Sequence, residues 1–280
     1  MIRKPTVSGT LYKNYPQELK EQIEQSFLQG PGMPDKRKKE ILKGIIVPHA
    51  GYEYSGKCAA YAYKEIAEHS LPDAYIIFGT NHSGIGGTAL TTQDWETPLG
   101  EVKCHKKFAE YLSENIEKND AAHQEEHSIE VQLPFLQFIK KNIKIIPISI
   151  AYDCPYEDIA FSIAKAIENT GIKVTLIASS DFTHYGPNYG YVPFKTEIKE
   201  HIYNLDRKAI SYLNKLDAKG FLKYIDETHA TICGNKAIAT MIATAKLLGA
   251  TKAELLNYYT SGDISKDYKN AVGYASMKII

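Results

Sequence analysis

The 280-residue sequence predicts an α/β fold in which helices flank a mixed or largely parallel sheet. Short apolar runs rich in β-branched residues alternate with segments of helical periodicity along nearly the whole chain. The composition, 44% hydrophobic and 24% charged, supplies enough apolar side chains for a full core. Because no repeat, low-complexity tract or linker divides the chain, we expect a single domain over residues 1–280.

The predicted elements follow from these patterns in chain order. Each strand is a short β-branched or aromatic run such as Ile45-Ile46-Val47, and each helix repeats apolar residues three and four positions apart. Strands are expected at 45–48, 74–79, 143–150, 173–179, 253–260 and 271–279, with a weaker strand signal at 87–92. Helices are expected at 15–29, 56–69, 106–118, 127–142, 156–169, 195–213, 217–227 and 234–248.

Charge and composition exclude several classes of partner. Lys plus Arg equals Asp plus Glu at 33 each, so no electrostatic argument favours nucleic acid or an anionic membrane. No apolar run approaches the roughly 20 residues of a membrane-spanning helix, and the basic first residues lack the apolar stretch of a secretory signal. The four cysteines are scattered without a CxxC pair, which favours reduced thiols. We therefore expect a cytoplasmic protein.

Histidines follow three of the predicted strands. His49 comes directly after strand 45–48, His82 after strand 74–79, and His184 after strand 173–179, each with glycine within a few residues. Ligands of open α/β sheets bind beyond the carboxyl ends of the strands, where these histidines would meet. Imidazole is a common metal ligand and proton carrier near neutral pH. The sequence therefore predicts a functional site at this edge, with Asp181 beside His184.

Two further segments carry unusual polar residues. In QEEHSIEVQLPFL, residues 124–136, His127 either begins a helix or joins the site, and Glu130 and Gln132 equally suit a solvent-facing position. In the second segment, Cys233 precedes the predicted helix 234–248. The exposed N–H groups and dipole of a helix N-terminus favour a thiolate, the form that binds metal or attacks carbon.

These residues support two chemical hypotheses. In the first, His49, His82 and Cys233 bind a transition metal, while His184 moves a proton and is held by Asp181 or a nearby backbone group. In the second, Cys233, one histidine and Asp181 form a metal-free nucleophilic triad, as in a Cys–His hydrolase. The triad leaves two histidines unexplained, so the metal hypothesis ranks first. Imidazole and thiolate together suit iron, copper or zinc.

Five ordered motifs resemble the signatures of one protein family. VPHAGYEYSG, GTNHSG, EEHSIEVQLPFL, SSDFTHYG and CGNKAIATMI are similar to successive motifs of the Memo family, and the match extends from about residue 5 to the end of the sequence. The resemblance implies a fold similar to the class III extradiol, LigB-type, non-haem iron dioxygenases. It also implies metal ligands at His49, His82 and Cys233, with the positions of His184 and Asp181 close by.

The sequence differs from the dioxygenases at one metal ligand. Their metal is held by two histidines and a glutamate, whereas a cysteine, Cys233, stands here in place of the carboxylate. Because thiolate softens the site, dioxygenase fold does not give dioxygenase activity. The family implies an iron- or copper-dependent oxidoreductase. We expect His127 to line the same pocket. The family also implies a functional link to a radical-SAM protein. The alternative is a non-catalytic module that binds a peptide or protein in the same cleft.

Overall fold

In the computed structural model, which describes residues 2–280, strands and helices alternate as the sequence predicts. The strands are β1 Ile2–Arg3, β2 Gly44–Val47, β3 Ala74–Thr80, β4 Ala89–Leu90, β5 Asp94–Thr97, β6 Gly100–Cys104, β7 Lys144–Ile150, β8 Val174–Ser179, β9 His184–Tyr185, β10 Ala253–Thr260 and β11 Ala271–Ile279. The α-helices are α1 Pro16–Gln29, α2 Tyr52–Glu68, α3 Lys106–Leu112, α4 Ala121–Gln124, α5 Leu133–Ile139, α6 Tyr156–Thr170, α7 Ile198–Leu213, α8 Ala218–Thr228, α9 Asn235–Leu247 and α10 Ser261–Ser265. Short 3₁₀ turns span Glu130–Gln132 and Pro187–Tyr189.

All eleven strands described in residues 2–280 join one mixed sheet. Its main order is β1-β5-β6-β7-β3-β8-β2-β11-β10, with β4 beside β7 and β9 beside β11. The centre is parallel, because β3 pairs with both β7 and β8, and β8 pairs with β2. β11 runs antiparallel to β2 and β10. The carboxyl ends of β2, β3 and β8 therefore lie side by side at one edge.

The central strands of the sheet are buried on both faces. Alternate residues of one strand belong to different apolar clusters: Ile46 packs with the cluster that includes α6 and α9, while Ile45 and Val47 pack with the cluster that includes α1 and α2. Strands covered on both faces read as continuous apolar runs, which explains why they are recognisable in the sequence. No helix described in residues 2–280 is long and apolar enough to span a bilayer.

Three predicted helices differ from the structure. The helix expected at 56–69 begins at Tyr52, because Tyr52 is buried against Phe135 and its hydroxyl donates to the Val131 carbonyl. The helix expected at 127–142 is a 3₁₀ turn followed by α5, and that expected at 106–118 ends at Leu112. The hairpin of β5 and β6 was not predicted, because its residues lack a β-branched run.

Candidate metal centre at the strand ends

Three histidines from separate parts of the chain meet at the carboxyl edge of the sheet. His49 follows β2 and is buried, His82 follows β3 and is exposed, and His127 lies half-buried just before the 3₁₀ turn. Their ring centroids lie 4.7–5.3 Å apart. One ring nitrogen from each lies within 4.8 Å of the others. The three histidines are therefore close enough to bind one metal ion together.

Cys233, the third predicted ligand, does not belong to this 4.8 Å group and contacts it only through His49. Its Sγ lies 3.2 Å from His49 Nε2 and 3.6 Å from the Asp181 carbonyl oxygen. Cys233 lies just before Gly234, the N-cap of α9, and is half-buried. Desolvation raises the pKa of its thiol well above the ordinary value, and the nearby Asp181 carboxylate adds to the rise. In the metal-free protein, partial burial of the thiol therefore opposes the effect of the helix N-terminus, which favours a thiolate.

Asp181 holds the backbone that carries His49. Its Oδ1 accepts hydrogen bonds from the backbone N–H groups of His49, at 2.8 Å, and Ala50, at 3.3 Å. Burial raises the pKa of Asp181. Burial lowers the pKa of the His49 imidazole, and the neighbouring His82 and His127 lower it further. His49 is thus neutral at physiological pH and keeps a lone pair available.

Glu126 orients His82. Its carboxylate accepts from the His82 backbone N–H at 2.8 Å and lies 3.0 Å from His82 Nδ1, so Nδ1 carries the hydrogen and Nε2 keeps its lone pair. Burial would raise the pKa of Glu126, but the hydrogen bonds from His82 and from the Ser128 N–H lower it to about 2. Sequence reasoning missed Glu126; its only signal was an acid next to His127.

His184 lies outside the group of three histidines. Its Nδ1 lies 2.9 Å from the Phe182 carbonyl oxygen and 3.0 Å from that of Thr231, which fixes the hydrogen on Nδ1 and leaves a lone pair on Nε2. Backbone groups therefore orient the ring, which was one of the two expected arrangements, and Asp181 serves His49 instead. The Tyr189 ring stands edge-on to His184 at 5.1 Å.

The segment containing His127 is held from behind by a second set of contacts, here called the N-terminal anchor: Arg3, Thr6, Tyr12 and Glu130. Arg3 pairs with Glu130 and donates to the carbonyls of His123 and Glu126. Glu130 also accepts from the Thr6 N–H and the Tyr12 hydroxyl. Glu130 is fully buried, as is Gln132, so neither takes the solvent-facing position that the sequence allowed.

The fold and the site together define an α/β protein with a histidine cluster and a cysteine at the carboxyl edge of its sheet. The model of the family described as Memo-like protein matches residues 3–278. The chain therefore belongs to the Memo family. A MEMO1 family protein of Methanothermobacter thermautotrophicus is 39% identical, over 99% of this chain and 100% of its own. One of Desulfurococcus amylolyticus is 40% identical, over 99% and 98%.

A solved structure supports the fold independently. The crystal structure of an uncharacterized protein from Escherichia coli K12 superposes with a TM-score of 0.50 at 10% sequence identity. The match covers 85% of this chain and 99% of that chain. At this identity the likeness concerns the fold alone, which agrees with the α/β prediction.

Proposed function

We propose that this Memo-family protein binds a transition metal through His49, His82 and Cys233 and acts as an iron- or copper-dependent oxidoreductase. The proposal rests on one observation: imidazoles meet at the edge of the sheet, and hydrogen-bond acceptors contact the Nδ1 atoms of His49 and His82. Glu126 contacts Nδ1 of His82, so Nε2 of that ring faces away from Glu126 and is free to bind a metal. Metal-binding histidines usually have such a partner on the second nitrogen.

The donor set fits a soft or borderline metal. The 3.2 Å between Cys233 Sγ and His49 Nε2 is within a few tenths of an ångström of the about 3.5 Å that tetrahedral zinc–sulfur and zinc–nitrogen bonds imply. Imidazole and thiolate favour iron, copper or zinc over magnesium or calcium. A bound cation would also reverse the effect of burial on the thiol, because a coordinating thiol loses its proton. His127 is the competing candidate for third ligand, because it completes the histidine group.

The remaining residues would serve the metal and the substrate. A bound iron or copper ion would supply redox chemistry and Lewis acidity. His184 would accept or return a proton at its free Nε2, since its Nδ1 hydrogen is committed to backbone carbonyls. Asp181 would keep the His49 backbone in place. A small molecule or peptide would occupy the open side, where His82 and Tyr189 are exposed.

Metal content by mass spectrometry tests the proposal on anaerobically purified protein. We expect one iron or copper ion per chain in the wild type and loss of the metal in Cys233→Ser and His82→Gln. His201→Gln, which changes an exposed histidine of α7 outside the cluster, serves as the matched control and should keep the metal. If Cys233→Ser keeps the metal and His127→Gln loses it, His127 is the third ligand in place of Cys233. No metal in wild type after reconstitution would refute the proposal.

A metal-free Cys–His hydrolase is the second candidate, and one observation favours it: the 3.2 Å contact between the thiol and His49 Nε2. A nucleophile and its base lie at this distance in such enzymes. However, burial raises the pKa of the thiol, and Ser179 rather than a carboxylate faces the other ring nitrogen. This function predicts rapid alkylation of Cys233 by iodoacetamide in protein treated with a chelator; an unreactive thiol would exclude it.

A further inference from the structure

A chain of buried polar side chains lies behind His49 and has no part in the proposed function. It extends from α2 through the 3₁₀ turn to the end of β8, and its members, Tyr63, Gln132 and Ser179, are at most 1% exposed. The Tyr63 hydroxyl donates to Gln132 Oε1 at 2.6 Å. Gln132 Nε2 lies 2.8 Å from Ser179 Oγ, which in turn lies 3.1 Å from His49 Nδ1.

The directions of these hydrogen bonds are fixed by groups that can only accept. Gln132 Nε2 lies 3.0 Å from the Pro48 carbonyl oxygen, so this end of the amide must be the NH₂ group. Its other hydrogen therefore points to Ser179 Oγ. The Ser128 carbonyl oxygen lies 2.6 Å from Ser179 Oγ and takes the single hydroxyl hydrogen. Ser179 then has no hydrogen left to offer His49.

Only one tautomer of His49 satisfies this arrangement. Its Nδ1 must carry the hydrogen and donate it to Ser179 Oγ, which leaves the lone pair on Nε2, the nitrogen 3.2 Å from Cys233 Sγ. We infer that Ser179 and Gln132 are positioning residues that fix the Nδ1–H tautomer of His49 and direct its Nε2 lone pair into the metal centre. The role in metal binding rests on the proposed function, whereas the tautomer does not.

The side chains that orient His49 and His82 differ in charge. A carboxylate, Glu126, orients His82, whereas an uncharged hydroxyl orients His49. Because His49 is buried, a second carboxylate behind it would add an uncompensated charge to the interior. The network of Tyr63, Gln132 and Ser179 achieves the same orientation with neutral groups.

Ser179→Ala tests the inference, with Ser149→Ala as the matched control. Ser149 lies on the nearby strand β7, is fully buried, and its hydroxyl has no hydrogen-bond partner within residues 2–280. Long-range ¹H–¹⁵N spectra of the metal-free protein at neutral pH report which imidazole nitrogen carries hydrogen, and the His49 signals are assigned by their absence in His49→Gln. We expect Nδ1–H in wild type and Ser149→Ala, and loss of that preference in Ser179→Ala.

Affinity for Zn²⁺, used as the probe metal in competition with a chromophoric chelator, gives the second readout. We expect Ser179→Ala to bind about 10–100-fold more weakly than wild type, as is typical when a partner of a metal ligand is lost. Ser149→Ala should bind as wild type does. Gln132→Met, which removes both amide donors and keeps the side-chain length, should weaken binding in the same direction and replaces Ser179→Ala if that variant does not fold.

Two results would overturn the inference. One is retention of Nδ1–H at His49 in both Ser179→Ala and Gln132→Met; the other is a loss of Zn²⁺ affinity no larger than that of Ser149→Ala. If wild type binds no metal, the proposed function fails and with it the role of Ser179 in metal binding. The spectra still decide the tautomer, so the two failures are distinguishable.

Discussion

Glu126 and Glu130 belong to one short segment, yet they serve two different regions of the molecule. Glu126 faces the histidine cluster and orients His82. Glu130 faces the opposite way, into the N-terminal anchor, where Arg3 and Tyr12 surround it. Both carboxylates are buried, and the pKa of each is lowered although burial alone would raise it. What separates their roles is the partner: a histidine can also bind a metal, whereas an arginine cannot.

The comparison of Glu126 with Glu130 predicts the largest loss of stability for a substitution in the N-terminal anchor. Arg3→Ala leaves the Glu130 carboxylate buried without its positive partner and removes the donors to the His123 and Glu126 carbonyls. Breaking a buried pair from one side costs about 3–5 kcal/mol. We expect the free energy of unfolding, measured by urea denaturation followed by circular dichroism, to fall by that amount. A loss below about 1 kcal/mol would show that Glu130 is stabilised by its neutral donors alone.

The second-largest effect is a pH dependence of the folding stability that arises from Glu126. Its pKa is about 2 in the folded, metal-free protein and 4.5 ordinarily, so folding favours the ionised form. The resulting stabilisation, a few kcal/mol at most, is complete above pH about 4.5 and is lost as the pH falls toward 2. Urea denaturation of the metal-free protein between these pH values should show a shallower decline in Glu126→Gln. Parallel declines in the two proteins would contradict the assignment.

Metal affinity should separate the two regions in the third test. Glu126→Gln keeps the shape of the side chain but replaces a charged acceptor of His82 Nδ1 with an amide. We expect Zn²⁺ affinity to fall about 10–100-fold, because such partners hold the ligand and raise its basicity. The control is Glu125→Gln, at the adjacent, exposed glutamate. Equal affinities in the two variants would place Glu126 among purely structural residues.

The smallest effect is expected for an exposed pair beside the anchor. Lys4 Nζ lies 2.5 Å from Glu96 Oε2, but the lysine side chain is 69% exposed. Exposed ion pairs typically contribute less than about 1 kcal/mol. Lys4→Ala should therefore leave the urea midpoint nearly unchanged, in contrast to Arg3→Ala one position earlier. A loss comparable to that of Arg3→Ala would mean that the position of β1, rather than burial of the arginine, stabilises the anchor.

The strand ends were predictable because the sheet is covered on both faces. Short β-branched runs such as Ile45-Ile46-Val47 indicate buried strands. The polar residues after β2, β3 and β8 then share one edge, because these strands are parallel. β11, which is buried over nearly its whole length, occupies the predicted range for the same reason. The closeness of His49 and His82 follows from the parallel pairing of the central strands, which chain order and periodicity together indicate.

The supporting contacts were not predictable, because they depend on distant pairs. Arg3 meets Glu130 across 127 positions and Ser179 meets His49 across 130. Local patterns contain no information on such pairs, and the apolar periodicity around Glu130 suggested a continuous helix. The surroundings of Cys233 were not predictable for a related reason. Its place before a helix is visible in the sequence, whereas its contacts with His49 and Ser180 join residues that lie far apart along the chain.

The position of β11 bears on how the protein is made. β2, which presents His49, is flanked by β8 and β11, so one of its two neighbours comes from residues 271–279. While a ribosome synthesises the chain, the apolar run Gly44–Val47 emerges more than 200 residues before that neighbour and cannot be paired on both sides. Such an open strand is a site of mispairing between chains. We therefore expect the backbone that carries His49 to take its final position only after residue 279 has been synthesised, and chaperones that shield nascent strands to determine the yield.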